Sequence, residues 1–180
     1  MQDLVDVIKQ RSYRRGRFTL ASGAESEFYF NLKPTMMNAR GGYLCAKALL
    51  EKIREVDGVD YVGGLEMGAV PVIAALAALS HADGRPVETF FVRKQVKDHG
   101  TAETIEGLAP GESLAGKRVI IIDDVATTGG SIIKAADAAR RAGAVVDHAL
   151  VILDREEGGA ENLAKAGMTL LSALKKSDFL

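Results

Sequence analysis

Cysteine is almost absent from this chain: Cys45 is the only one among 180 residues, so no internal disulfide can staple the fold. An apolar signal core is missing too, because the opening run MQDLVDVIKQRSYRRGRF is broken by charge. Together the two absences give the expectation of a reducing cytoplasm. No apolar run approaches the length of a bilayer-spanning helix, which leaves a membrane role without support. Nor is there a surplus of either charge. Lys plus Arg (23) nearly cancel Asp plus Glu (24), for a formal net charge of −1. Such a chain projects no global field that would hold DNA, so any attraction for phosphate has to be built locally. Repeats, low-complexity tracts and linkers are also lacking. The length, with 47% hydrophobic residues, suits a single domain with one sizeable core.

What is present reads as alternating helices and strands. Leu4, Val5, Val7 and Ile8 form a helical stripe over 3–10, and Gly16 closes that segment before an extended stretch over 17–32 rich in Phe, Tyr and Ser. Over 41–56, Leu44, Cys45, Ala48, Leu49 and Ile53 recur at helical spacing. Tyr61-Val62-Gly63-Gly64 then reads as a short strand breaking into a glycine-containing loop, with a helix over 70–79 after it. The alternation continues with strands over 88–93, 118–123 and 147–153 and a helix over 131–142. The runs VIIID and ALVILD are continuously apolar, as expected of strands covered on both faces in a parallel α/β sheet. Between Val92 and Lys117 lie more than twenty residues of little periodicity, a length usually reserved for a working loop.

The strongest signal is Val119-Ile120-Ile121-Ile122-Asp123-Asp124-Val125-Ala126-Thr127-Thr128-Gly129-Gly130-Ser131. A buried strand ends at two acids, and a small-residue loop leads into a helix. In doubly wound sheets ligands bind beyond the carboxyl ends of strands. Backbone N–H groups at the helix start, the hydroxyls of Thr127, Thr128 and Ser131, and the close approach allowed by glycine make a cradle for phosphate. Thr, Gly and Ser are also ordinary turn and cap residues; the hydrophobic run and paired acids tip the balance toward function. The acids would repel a phosphate, and so suit sugar hydroxyls or a bridging hard cation. No Lys-Ser or Lys-Thr follows the glycines, which excludes a nucleoside triphosphatase loop.

This run resembles the phosphoribosyl pyrophosphate motif of type I phosphoribosyltransferases. The resemblance implies that family's fold: a central, mostly parallel sheet flanked by helices, with a small N-terminal hood. It divides a single 1–180 domain into a hood of roughly residues 1–35 plus C-terminal residues and a core of roughly 36–156. It places Asp123 and Asp124 at the ribose hydroxyls and Ala126, Thr127, Thr128, Gly129, Gly130 and Ser131 at the 5-phosphate, with Val125 in the same binding run. It also implies Mg2+ held mainly by pyrophosphate and ribose oxygens, with no ligand set supplied by the protein.

Three further segments narrow the resemblance. The run from Phe91 to Thr101 gathers Arg93, Lys94, Lys97 and His99; a solvated basic loop is its plain reading, but expelling pyrophosphate requires cationic partners. The pattern looks like the catalytic loop of orotate phosphoribosyltransferases. By that resemblance Lys97, His99 and Arg93 are catalytic, Lys94 joins them in binding phosphoribosyl pyrophosphate, and Lys97 and His99 reach across a homodimer interface. The run from Phe18 to Phe30 is similar to the hood covering the base, with Phe28 in the core and Tyr29 and Phe30 lining the orotate pocket. Asp154-Arg155 resembles the site where an arginine pairs with the orotate carboxylate, with Thr127 beside it. Two positions depart: many orotate enzymes carry lysines where this chain has Ala21 and Met67. Lys33 is a candidate replacement.

Cys45 reads as inert core. His81 and His148 have no partner at metal-ligand spacing, and Arg14, Arg15 and Arg17 read as a solvated run. Two other functions stay open: a phosphoribosyltransferase for another base such as adenine, and a regulator that binds phosphoribosyl pyrophosphate without catalysis. The regulator should carry a DNA-binding extension or a strongly basic face, and neither is evident.

Overall fold

The computed structural model describes residues 1–19, 25–94 and 105–180. Helix α1 (Gln2–Arg11) leads into a hairpin of β1 (Tyr13–Thr19) and β2 (Glu25–Phe30), then a single turn, α2 (Lys33–Met36), and α3 (Ala39–Ile53). The alternating part comprises β3 (Tyr61–Leu65), α4 (Val70–Ala82), β4 (Glu88–Val92), β5 (Ile105–Glu106), β6 (Arg118–Ala126), α5 (Gly130–Arg141), β7 (Val145–Asp154), α6 (Gly159–Lys165) and β8 (Thr169–Lys175). A 3-10 turn, Lys176–Phe179, follows β8.

The large sheet has the order β5-β4-β3-β6-β7-β8. Its neighbours pair in parallel except β5, which runs antiparallel to β4. From β3 the chain moves through α4 to β4 on one side, whereas β6, β7 and β8 build outward on the other. Strands β3 and β6 therefore flank the point where the winding reverses, and the carboxyl ends of these two strands are where such a sheet opens a ligand crevice.

Both faces of the central strands are covered. Ile120 and Ile122 of β6 and Leu150 and Ile152 of β7 pack with α1, α3 and α4 in one cluster. Val119, Ile121, Ala149 and Val151 point the other way, into a cluster with α5 and Leu163 of α6. A strand with no wet face explains why these runs lack polar alternation. Helix α5 lies against the sheet through Ala135, Ala136, Ala138 and Ala139, all buried. Asn38 caps α3 by accepting from the Gly41 N–H at 3.0 Å, satisfying one of the orphan donors of its first turn.

The N-terminal hairpin is tied to the far end of the chain by aromatic packing. Tyr13 lies 5.1 Å from Phe30 and 5.9 Å from Phe179 between ring centroids, and Phe30 meets Phe179 edge-on at 5.2 Å. Some boundaries differ from the sequence expectation. Helix α1 stops at Arg11, and Gly16, expected to close it, lies within β1 where the register shifts between Arg15 and Phe18. Strand β6 continues past Asp123 because Val125 and Ala126 still pair with Leu153 and Asp154 of β7.

Glycine at position 63 is required by the neighbouring strand, since a methyl there would collide with the Phe90 ring. Gly63→Ala is expected to destabilise the chain by about 1–3 kcal/mol through overpacking. Urea unfolding checks this; an unchanged midpoint would show that the Phe90 ring relaxes freely.

Candidate functional site

Strand β6 carries its buried character up to the site and delivers two carboxylates there. Asp123 is only 6% exposed. Its Oδ2 accepts from the Ser131 hydroxyl at 2.6 Å, and its Oδ1 accepts from the Asp124 N–H at 2.9 Å. Asp124 Oδ1 in turn accepts from the Val125 N–H at 2.9 Å. The loop after β3 closes over the pair: a Cβ on Gly68 would lie 2.5 Å from Asp123 Oδ1 and 3.2 Å from Asp124 Oδ1. Only a residue without a side chain fits that approach.

Crowding two acids here has an electrostatic consequence. Asp124 is pushed up to about 7, first by burial and then by the charge of Asp123, while the ammonium of Lys33 pulls the other way. Cys45 lies in the same field: burial, reinforced by Asp124, pushes its thiol up to about 12. A thiol so buried and so reluctant to ionise is chemically inert.

Beyond Ala126 the chain turns through Thr127, Thr128 and Gly129. Gly129 adopts φ 82°, and a Cβ there would also press to 3.1 Å from Leu163 Cγ, so the position calls for glycine twice over. With glycine as the residue before α5, no side chain among the described residues caps that helix, which leaves its first N–H groups to an anion. Helix α6 braces the turn from behind. Asn162 Nδ2 donates to the Thr128 carbonyl at 3.0 Å, and Gly159 packs so close that a Cβ would lie 2.9 Å from the Thr127 carbonyl. The Ser131 hydroxyl, expected at a phosphate, is engaged by Asp123 in this arrangement.

Next to this turn, at the end of β7, stands Arg155, whose N–H donates to the Ala126 carbonyl at 2.9 Å. Its side chain is buried, 3.1 Å from Glu157 Oε1 at Nη2. That contact is an ion pair without hydrogen-bond geometry, and Nε and Nη2 both lack a hydrogen-bond acceptor among the described residues. Lys176 Nζ, 3.8 Å from the same Glu157 oxygen, completes the cluster. Buried guanidinium donors left open at a strand end suit a planar anion.

Across the sheet, Arg93 follows β4 and pairs with Glu106 of β5 at 3.2 Å, while its Nε is buried without an acceptor among the described residues. The Lys94 N–H donates to Glu66 Oε1 at 2.7 Å, and the Lys94 carbonyl accepts from Lys134 Nζ at 3.3 Å. Lys97 and His99 lie outside the described residues. Tyr29 is half-exposed and packs on Phe18 at 5.4 Å. Phe30 points to the opposite face of β2, into the Tyr13 and Phe179 cluster, so the structure separates two residues expected to line one pocket. A cleft of about 670 Å³ lies between residues 105–114 and Ala138, Arg141 and Ala142. These sit at the opposite end of α5 from Gly130, away from the paired acids.

Glu157 and Lys176 are indistinguishable from their charged neighbours in the sequence until folding brings Lys176 to Glu157, which pairs with Arg155. The same holds for Glu66.

A mostly parallel sheet with an open helix start and paired acids at its reversal point is an arrangement suited to a phosphorylated sugar. A family model described as phosphoribosyl transferase domain matches residues 38–173. An orotate phosphoribosyltransferase of Rhodopseudomonas palustris (strain BisB18) is 53% identical over 177 residues, covering 98% of this chain and 94% of that protein. The crystal structure of orotate phosphoribosyltransferase from Aeropyrum pernix is similar with a TM-score of 0.83 at 34% identity, covering 98% of this chain and 96% of that one. That of Mycobacterium tuberculosis H37Rv, in complex with 5-phospho-alpha-D-ribosyl 1-diphosphate, is similar with a TM-score of 0.79 at 32% identity, covering 98% and 96%. The chain therefore belongs to the phosphoribosyltransferase family, within its orotate phosphoribosyltransferases.

The raised Asp124 sets a pH dependence. Its folded value of about 7 exceeds the ordinary 3.8, so the folded state holds this proton more tightly than the unfolded chain. The resulting stabilisation is complete below the unfolded value and is lost as pH rises through the folded one. Asp124→Asn should match the wild type near pH 4, within about 1 kcal/mol, and exceed it by a few kcal/mol at pH 8, at roughly 1.4 kcal/mol per pKa unit. Urea unfolding across pH measures the gap; a gap independent of pH would contradict the assignment.

Proposed function

We propose that this chain catalyses the reaction for which its relatives are named: orotate and phosphoribosyl pyrophosphate give orotidine 5'-monophosphate and pyrophosphate, a step of pyrimidine biosynthesis. The observation that carries this reading is a convergence at adjacent strand ends. The paired acids and open helix start of β6 and α5 stand beside a buried arginine whose Nε and Nη2 have no hydrogen-bond acceptor among the described residues. The first group suits a ribose phosphate and the second a base bearing a carboxylate.

In the proposed mechanism the N–H groups and hydroxyls of residues 126–131 bind the 5-phosphate, with Val125 holding the turn to β7. Asp123 and Asp124 accept from the ribose hydroxyls. Arg155 pairs with the orotate carboxylate, Thr127 contacts the base from below, and Tyr29 covers it; Phe30 supports that strand from the core. The ring nitrogen of orotate forms its bond to C1 of the ribose as the C1–oxygen bond breaks, and the electron pair leaves on pyrophosphate. The transition state has oxocarbenium character. Arg93, Lys94 and Lys97 neutralise the departing charge, and His99 positions or protonates it. Lys33, whose charge is felt at Asp124, replaces part of the positive charge missing at Ala21 and Met67. Orientation and preorganised electrostatics do most of the work.

Phosphoribosyltransferases use Mg2+ with this substrate, and the site fits it. The raised proton affinity of Asp124 comes first from burial and then from the charge of Asp123, and a divalent cation would relieve the second of these. Two carboxylates fall short of the six oxygens magnesium takes. Asp123 and Asp124 would hold the ion through ribose hydroxyls and water, with pyrophosphate oxygens completing the shell. When bound, it supplies charge neutralisation to the leaving group.

The same reading includes a homodimer in which Lys97 and His99 serve the neighbouring site, a cytoplasmic location, and one domain divided into a hood, made of the hairpin and the C-terminal turn, and a core. No helix among the described residues is long and apolar enough to cross a membrane. A phosphoribosyltransferase for a purine would share the Asp123–Ser131 logic but has no use for the open donors of Arg155.

Depletion of orotate absorbance with magnesium and phosphoribosyl pyrophosphate tests the activity; no depletion, or preference for adenine, would contradict it. Removing a charged hydrogen-bond partner costs about 1.5–3 kcal/mol. Arg155→Ala should therefore raise the KM for orotate by roughly 10- to 100-fold with a smaller effect on phosphoribosyl pyrophosphate. Lys97→Ala should lower turnover by about two orders of magnitude, the scale of losing one preorganised charge partner; full turnover would remove Lys97 from the mechanism.

A further inference from the structure

Glu66 is out of place on simple electrostatic grounds. It lies in the loop after β3, one residue from Met67 and two from Gly68, which closes over Asp123 and Asp124. A third carboxylate here adds negative charge where a pyrophosphate is to be received. The structure shows what it does instead. Its N–H continues the β3–β4 ladder by donating to the Val92 carbonyl at 2.9 Å. Its half-buried side chain then reaches across to accept the Lys94 N–H at 2.7 Å. The carbonyl of the same Lys94 is taken by Lys134 Nζ at 3.3 Å. Both main-chain polar groups of Lys94 are thus held by side chains from two separate elements: the β3 loop and the first turns of α5.

The three elements joined at Lys94 each carry one part of the substrate reading. In the proposed reading the β3 loop faces the pyrophosphate, α5 opens the phosphate cradle, and Arg93 and Lys94 begin the basic run. We propose that Glu66 is a positioning residue for phosphoribosyl pyrophosphate: by clamping the Lys94 backbone it fixes the first two cations of that run against the β3 loop, so that both meet the same pyrophosphate. This rests on the reaction proposed above and deepens it. The role falls to Glu66 through hydrogen-bond acceptance, since its Oε1 is the atom that takes the Lys94 N–H. A carboxylate accepting from a backbone donor is a stronger bond than a neutral one, which offsets the repulsion it brings.

The test is steady-state kinetics on the full chain for wild type, Glu66→Ala, Glu66→Gln and Lys134→Gln, with thermal melting of each. Glu66→Ala should raise the KM for phosphoribosyl pyrophosphate by about tenfold, the factor for 1.4 kcal/mol, and leave the KM for orotate within about twofold and melting nearly unchanged. Glu66→Gln, which keeps an acceptor oxygen, should recover most of the loss, and Lys134→Gln should show a smaller rise of the same kind. An unchanged or lower KM in Glu66→Ala would overturn the proposal, as would equal losses in Ala and Gln, which would make charge rather than the hydrogen bond the cause. If the wild type does not turn over orotate at all, the proposed reaction fails instead. Glu66 is then judged by calorimetric binding of magnesium pyrophosphate, where unchanged affinity in Glu66→Ala overturns the clamp and about tenfold weaker affinity upholds it.

Discussion

Two adjacent carboxylates cannot both be carried to the end of a buried strand without compensation. At Asp123 and Asp124 the compensation is explicit: a serine hydroxyl and two backbone N–H groups are spent on them, and Asp124 still holds its proton to about pH 7. A protein with no use for the pair would gain by replacing either acid with an apolar residue. Their retention at the reversal point of the sheet makes sense when hydroxyl donors or a cation arrive from solution. The glycine at 68, the lysine at 33 and the serine at 131 all answer to that constraint.

The rest of the site is arranged around what the pair cannot do. Carboxylates repel phosphate, and in the proposed arrangement the phosphate is received one turn further on, at a helix start that no described side chain caps, behind a left-handed glycine. Because α6 holds that turn from behind through Asn162 and the absent side chain of Gly159, its shape is set before any ligand arrives. Preorganisation of this kind leaves less entropy to be lost on binding. The positive charge lies to either side of the β3–β6 reversal point, in Arg155 after β7 and Arg93 after β4. In each case, donors remain open among the described residues.

Much of this was legible from residues alone. Continuous apolar runs at VIIID and ALVILD announced doubly covered strands, and the acids and small residues after them announced a strand-end site, because the runs are short and rich in Val and Ile, which favours a buried strand over a buried helix. Edge elements were harder. Strand β5 is two residues long within a polar segment, α6 has seven residues, and β8 is half-exposed along most of its length. Such pieces take their form from the neighbour they pair with, not from their own pattern. Phe30 shows the limit for side chains: it packs against Tyr13 and Phe179 while its neighbour Tyr29 meets Phe18, and the Phe179 contact comes from the far end of the chain. Glu66 acquires meaning only through its contact with Lys94, distant in the chain. The residues proposed for the leaving group, Lys97 and His99, rest on resemblance, since they lie outside the described structure.

The most direct measurement is a crystal structure of the chain with phosphoribosyl pyrophosphate and magnesium. The account predicts the 5-phosphate within hydrogen-bond distance of N–H groups from residues 127–131 and the ribose hydroxyls on Asp123 and Asp124. A sugar phosphate bound elsewhere, with this turn and these two acids untouched, would contradict it.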